Sequence, residues 1–162
     1  HLKMSIAGSK KDAKDSPAIF RRNGVKMSDY LLDTNILILS FRKTEGYQEL
    51  LDMLAKDDAL YVSAMTRLEI VHGMRDHEHK DTFNLLDSLE TIDLTIEIAD
   101  KAGELIRLWR TKGMILGDAD ALIAATALNH DLALVTTNEK HFPMPDLVVY
   151  RADKYGKLTL RE

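Results

Sequence analysis

Tyr30-Leu31-Leu32-Asp33-Thr34-Asn35 is a short apolar run that ends abruptly in polar, turn-forming residues. It reads as a buried strand delivering its chain to a helix or turn. The same grammar recurs downstream. Leu60-Tyr61-Val62 is followed by Ser63, a ready N-cap for a helix marked on one face by Met65, Leu68, Val71 and His72. Leu132–Val135 runs into Thr136-Thr137-Asn138, and Thr91–Leu94 and Leu147–Tyr150 read as further strands. Between them lie helical patterns: Leu50, Leu51 and Leu54 within 45–56, then Ile98, Ala102, Leu105, Ile106 and Trp109 ending near Gly113. A small-residue run follows over Ala121–Leu128, with Asp118 as its expected cap. Strands alternating with helices imply an α/β sandwich around a mainly parallel sheet. No internal repeat is visible.

The whole chain bounds that reading. It has 162 residues, 45% hydrophobic and 30% charged, enough for one packed domain. Mean hydropathy is −0.21, and no stretch approaches the roughly 18 apolar residues of a membrane span. Zero cysteine excludes disulfides, thiolate zinc sites and cysteine nucleophiles and fits a reducing, cytoplasmic setting. The net charge of −4 is unevenly divided. Residues 1–26 hold seven basic and two acidic side chains, a surplus of +5 that leaves −9 on the remainder. That stretch, with Gly8-Ser9, Ser16-Pro17 and Asn23-Gly24, reads as a basic N-terminal extension: a leader, a tag-derived segment or a linker. Residues 27–162 form the single domain, and Met27 is a plausible natural start.

An acidic body opposes nucleic-acid binding unless metal ions mediate it. In parallel α/β sheets the site lies at the carboxyl ends of the strands, where Asp33, Ser63 and Thr136-Thr137-Asn138 stand, with Glu69 and Asp120 near the starts of helices. Each acid has an ordinary reading beside the functional one. Asp33 suits an N-cap, and Asp118 and Asp120 suit a helix first turn. Residues two apart on a helix point about 200° apart, so Asp118 and Asp120 do not both face one ion. Glu69 stands between Leu68 and Ile70-Val71, either on a solvated face or aimed at a site. Taken together, hard oxygen donors at strand ends are what Mg²⁺ or Mn²⁺ requires.

Four segments then carry a resemblance: Leu31-Leu32-Asp33-Thr34-Asn35; Arg67-Leu68-Glu69-Ile70 with Gly73; Asp120-Ala121-Leu122-Ile123-Ala124-Ala125-Thr126-Ala127; and Leu134-Val135-Thr136-Thr137-Asn138 followed by His141-Phe142. In this order they resemble the PIN-domain family, more narrowly its VapC-type toxins, from Met27 to Tyr150. The resemblance implies a three-layer α/β/α sandwich and a Mg²⁺- or Mn²⁺-dependent endoribonuclease. Its acidic quartet falls on Asp33, Glu69, Asp120 and the place held here by Asn138, a neutral amide that weakens the case for a second tightly held ion. Asp33, Asp120 and Glu69 would hold metal, with Asp118 an outer ligand through water. Thr34, Asn35 and Thr136 would support the ligands, and Glu69 would steer or deprotonate the attacking water. A homodimer and a VapB-like antitoxin are implied as well. The alternatives are a non-catalytic PIN-fold RNA- or protein-binding module, and a metal-dependent DNA nuclease.

Other residues carry less. Arg42, Lys43 and Arg67 neighbour the site in sequence and are candidates for an RNA path, whereas Arg75, Arg107, Arg110 and Lys112 read as solvated helix faces. His72, His77 and His79 lack zinc-ligand spacing, and Trp109 reads as core or dimer contact. No GxxxxGK[ST], GxGxxG or GxSxG motif occurs. Ile19-Phe20-Arg21-Arg22 joins an apolar anchor to arginines that could pair with the acidic cluster.

Overall fold

The computed structural model describes residues 21–22, 25–26, 29–56 and 58–162. Of the N-terminal extension, only β1 (Arg21–Arg22) and β2 (Val25–Lys26) are described, as a short antiparallel pair; the rest, Ile19-Phe20 included, lies outside the described residues.

The domain follows the alternation read from the sequence: β3 (Tyr30–Leu32), α1 (Thr34–Phe41), α2 (Tyr47–Ala55), β4 (Leu60–Ser63), α3 (Ala64–Gly73), α4 (His79–Asp87), β5 (Glu90–Ile92), α5 (Ile96–Thr111), α6 (Asp118–Asn129), β6 (Ala133–Thr136), β7 (Val149–Ala152) and β8 (Leu158–Leu160). The six-stranded sheet has the order β5-β4-β3-β6-β7-β8. All neighbours are parallel except β7 and β8.

Successive side chains of a strand point to opposite faces, and here both faces are covered. Tyr30, Leu32, Ala133, Val135 and Tyr150 meet Ile36 and Leu37 of α1, Leu50, Leu51 and Leu54 of α2, and Leu86 of α4. Leu31, Leu134 and Val149 meet Ile98 and Ala102 of α5 and Ala121, Ile123, Ala124, Ala125 and Ala127 of α6. That is the three-layer sandwich expected. The central strands are buried on both sides, which is why they read as continuous apolar runs.

Several local expectations are corrected. Leu94 is outside β5 and 53% exposed, because β5 is an edge strand pairing only through Glu90, Thr91 and Ile92. The strand expected at Leu147–Tyr150 begins two residues later, since Leu147 closes a turn onto the carbonyl of Met144. The N-cap of α6 is Gly117 rather than Asp118, and no side chain caps it. On α3, Leu68 is 57% exposed while Thr66 is fully buried, so the inward face is more polar than its sequence suggested. Ser63 caps that helix as read, accepting from the Thr66 N–H at 2.9 Å. β8 and α4 were not anticipated.

Gly46 and Gly156 join α2 to the β7–β8 turn. Gly46 has φ +87°, and a Cβ there would fall 1.8 Å from the Tyr155 carbonyl oxygen. Beside it, the Tyr47 hydroxyl donates to the Asp153 carbonyl at 2.7 Å.

Candidate active site

Asp33 leaves β3 as the N-cap of α1, and its Oδ1 accepts from the Thr34 N–H at 2.8 Å. Its Oδ2 accepts from the Thr136 hydroxyl at 2.7 Å, across the β3–β6 boundary. The capping and functional readings of Asp33 are therefore compatible: one oxygen starts the helix while the other faces the neighbouring strand end. Thr136 is fully buried, and its Oγ also accepts from the Asn138 N–H at 3.0 Å. The turn that follows β6 is thus tied to the carboxylate.

Glu69 approaches from α3. Its Oε1 accepts from the Thr34 hydroxyl at 2.8 Å. The Thr66 hydroxyl lies 3.0 Å from Thr34 Oγ1, and the Ser63 hydroxyl 3.3 Å from Thr66 Oγ1. A hydroxyl has one proton. With Thr34's committed to a carboxylate, which can only accept, Thr66 fills its contact by donating to Thr34. Ser63, Thr66 and Thr34 so form a short buried chain polarised toward Glu69.

Asp120 lies in the first turn of α6, where the helix dipole favours an anion. Its Oδ2 stands 3.2 Å from Nδ1 of His141, whose Nε2 is 3.0 Å from Nδ2 of Asn138. Asp33, Glu69, Asp120 and Asn138 are thereby joined into one cluster through Thr34, Thr136 and His141.

The cluster is electrostatically costly. Burial pushes the Asp33 carboxyl above the usual carboxylate range, and the negative charges of Asp120 and Glu69 push it further, against the hydrogen bonds from Thr136 and Thr34. Burial also raises Asp120, opposed by its contact with His141. A divalent cation would relieve both the burial and the repulsion, and the oxygen donors suit Mg²⁺ or Mn²⁺. Among the described residues no three His, Asp or Glu side chains gather closely enough to enclose an ion alone.

The remaining expected residues scatter. Asn35 and Asp118 are exposed on the first turns of their helices, and Arg42 and Lys43 are exposed just past α1. Arg67 turns elsewhere: its guanidinium pairs with Asp87 at 2.9 Å, reaches Thr91 Oγ1 at 3.3 Å and lies over the Phe83 ring. Those contacts brace α3 against α4 and β5. Sequence reasoning missed Ser63 and Thr66 as a support for Glu69, although Thr66 sits one helical turn before it. His141 lies within the fourth motif, where its neighbours in sequence carry no sign of its contact with Asp120. Beside Glu69 a groove of about 420 Å³ opens between α1, α3 and α4, lined by Leu37, Ile38, Phe41, Ile70, Met74 and Leu85 together with Arg42, Arg75 and Glu78.

Comparison with known proteins identifies the family of the chain. The family model described as PIN domain matches residues 30–146, from β3 through the loop beyond His141. Ribonuclease VapC10 of Mycobacterium tuberculosis is 37% identical over 114 residues, covering 70% of this chain and 86% of that protein. Ribonuclease VapC2 of Rickettsia felis is 33% identical over 132 residues, 77% of this chain and 98% of that one. Among solved structures, VapBC2 from Rickettsia felis bound to a promoter DNA fragment superposes with TM-score 0.69 and 29% identity, covering 77% of this chain and 99% of that chain. A toxin–antitoxin complex from Klebsiella pneumoniae gives TM-score 0.63 and 29% identity over 79% and 99%. With the family model matching residues 30–146 and VapC ribonucleases more than 30% identical over at least 70% of the chain, the chain belongs to the PIN-domain family, on the branch of the VapC ribonucleases.

Proposed function

We propose that the protein is a VapC-type toxin, a Mg²⁺- or Mn²⁺-dependent endoribonuclease of the cytoplasm that acts as a homodimer and is restrained by a VapB-like antitoxin. One observation carries the catalytic part: Asp33 is held 6% exposed at the carboxyl end of the central strand, and the charges acting on it are those of Asp120 and Glu69. A helix cap alone does not call for two further carboxylates whose charges act on it. Their retention also favours an enzyme over a non-catalytic binding module.

The chain's residues divide the work. Asp33 and Asp120 are the carboxylates that would hold the ion, Asp33 fixed on both oxygens by Thr34 and Thr136. When bound, the ion supplies a Lewis acid for a phosphate oxygen and makes water a better nucleophile at neutral pH. Glu69, steadied by the Thr34 hydroxyl, is the base that would take the proton of the attacking water. The water oxygen then bonds to phosphorus as the bond to the departing ribose oxygen breaks, and that oxygen leaves with a proton from solvent. Asn138 presents a neutral amide at the edge of the cluster, and Arg42 and Lys43 are exposed cations for the RNA backbone.

The neighbouring structures are toxin–antitoxin complexes, and the groove beside Glu69, apolar side chains flanked by Arg42, Arg75 and Glu78, is a surface on which such a partner can close the site. No helix of the described residues is long and apolar enough to cross a membrane.

The test is cleavage of a structured RNA pool with Mn²⁺ or with EDTA, by wild type, Asp33→Asn and Asp120→Asn. Metal-dependent cutting should disappear in both variants. Near-native cutting by either would overturn the assignment, and preferential cleavage of single-stranded DNA alongside would redirect it to a DNA nuclease.

A further inference from the structure

The ring of His141 touches two members of the cluster at once, Asp120 Oδ2 at 3.2 Å from Nδ1 and Asn138 Nδ2 at 3.0 Å from Nε2. With Nδ1 facing the carboxylate, the other ring nitrogen meets the NH₂ end of the Asn138 amide, which leaves the amide oxygen turned away from the ring.

The base of the ring is fixed although the ring itself is exposed. Glu139–His141 forms a 3₁₀ turn closed by His141 N–H to the Asn138 carbonyl at 3.1 Å and Phe142 N–H to the Glu139 carbonyl at 3.0 Å. Phe142 is fully buried in the α5–α6 core. The guanidinium of Arg161, arriving after β8, donates to the carbonyls of Phe142, Met144 and Leu147 and holds the loop from the other side. Backbone bonds, a core anchor and an arginine clamp thus aim one imidazole between α6 and the end of β6.

We infer that His141 is a positioning residue whose ring, set between Asp120 and Asn138, orients the Asp120 carboxylate and turns the Asn138 amide so that its oxygen, not its nitrogen, remains for a ligand. Side chains that orient a metal ligand in this way typically change affinity or activity about 10- to 100-fold when removed. The inference depends on the ribonuclease reading only for its cleavage measurement.

The full chain is used throughout. Calorimetric titration with Mn²⁺ should show His141→Ala binding about 10-fold more weakly. His141→Asn, which can still place an N–H near the Nδ1 position, should recover to within about 3-fold. RNA cleavage at saturating Mn²⁺ should fall about 10-fold in both variants, because neither holds Asn138. Thermal melting confirms that the variants are folded. Wild-type protein that does not bind Mn²⁺, or a His141→Ala variant within twofold of wild type in Mn²⁺ affinity, would overturn the inference. Wild-type protein that binds Mn²⁺ with the expected His141 dependence, yet cuts no RNA, would support it and tell against the ribonuclease reading instead.

Discussion

Asp33→Asn should make the metal-free protein more stable while abolishing cleavage. The upward displacement of the Asp33 carboxyl is a net quantity, in which burial and the repulsion from Asp120 and Glu69 outweigh the hydrogen bonds from Thr136 and Thr34. A carboxyl whose folded-state pKa is raised contributes stability while protonated, at low pH, and loses it as pH rises through the folded value. The loss grows as pH rises, and a neutral isostere avoids it. Asparagine keeps the acceptor for the Thr34 N–H, and the Thr136 hydroxyl can rotate to accept from the new NH₂. We expect a gain of about 1 kcal/mol, the scale of a single stabilising substitution, raising Tm by roughly 2–4 °C. Mn²⁺ should invert the order, because an ion present at a hundred times its Kd stabilises a binding-competent fold by about 2.7 kcal/mol. The assay is calorimetric melting of both proteins in EDTA and then in Mn²⁺, at pH 5 and pH 7.5, with the EDTA advantage of the variant growing at the higher pH. A variant that melts at or below wild type in EDTA at pH 7.5 would refute the claim that the site stores electrostatic cost.

Three further substitutions separate other parts of the argument. Thr136→Val strips Asp33 Oδ2 of its hydroxyl donor in a fully buried position and should cost about 1–3 kcal/mol in urea melts; a loss under 0.5 kcal/mol would mean that solvent replaces the bond. Gly113→Ala and Gly46→Ala place alanine at similar positive φ values, +80° and +87°, but a Cβ at Gly113 meets nothing within 4 Å whereas one at Gly46 meets the Tyr155 carbonyl. The first should cost roughly 1 kcal/mol and the second at least twice that, and equal losses by calorimetry would contradict the clasp between α2 and the β7–β8 turn. Arg161→Lys cannot reach three carbonyls at once, so hydrogen exchange at the Phe142 and Leu147 amides should accelerate severalfold; unchanged exchange would show that the loop holds itself.

Much of the fold was legible because the strands nearest its centre are buried on both faces and are followed by polar residues with a capping job. Tyr30–Leu32 before Asp33 and Leu60–Val62 before Ser63 carry that signal, and both polar residues cap their helices through side-chain hydrogen bonds. The signal fades toward the edges of the sheet. β5 pairs on one side only and mixes Glu90, Thr91 and Ile92, and β8 is a three-residue antiparallel strand of partly exposed residues. Neither has the burial that would force an apolar run. Leu68 misled for a related reason: α3 gives inward positions to Thr66 and Glu69, so hydrophobicity there does not report depth.

The acids of the site were legible one at a time, since each follows a strand or opens a helix. The groups that join them were not. Thr136 meets Asp33 across 103 positions of sequence and Thr34 meets Glu69 across 35, and only the sheet order brings them together. Asn138 shows the same difficulty most sharply. Read alone, an amide in the quartet is a weaker ligand than a carboxylate. In the structure its NH₂ end faces a ring nitrogen whose partner nitrogen faces Asp120. A carboxylate at 138 could only accept, and would need hydrogen on both nitrogens of His141 to keep the contact. The meaning of asparagine at that position therefore depends on a residue three places further on, and the two have to be read as a pair.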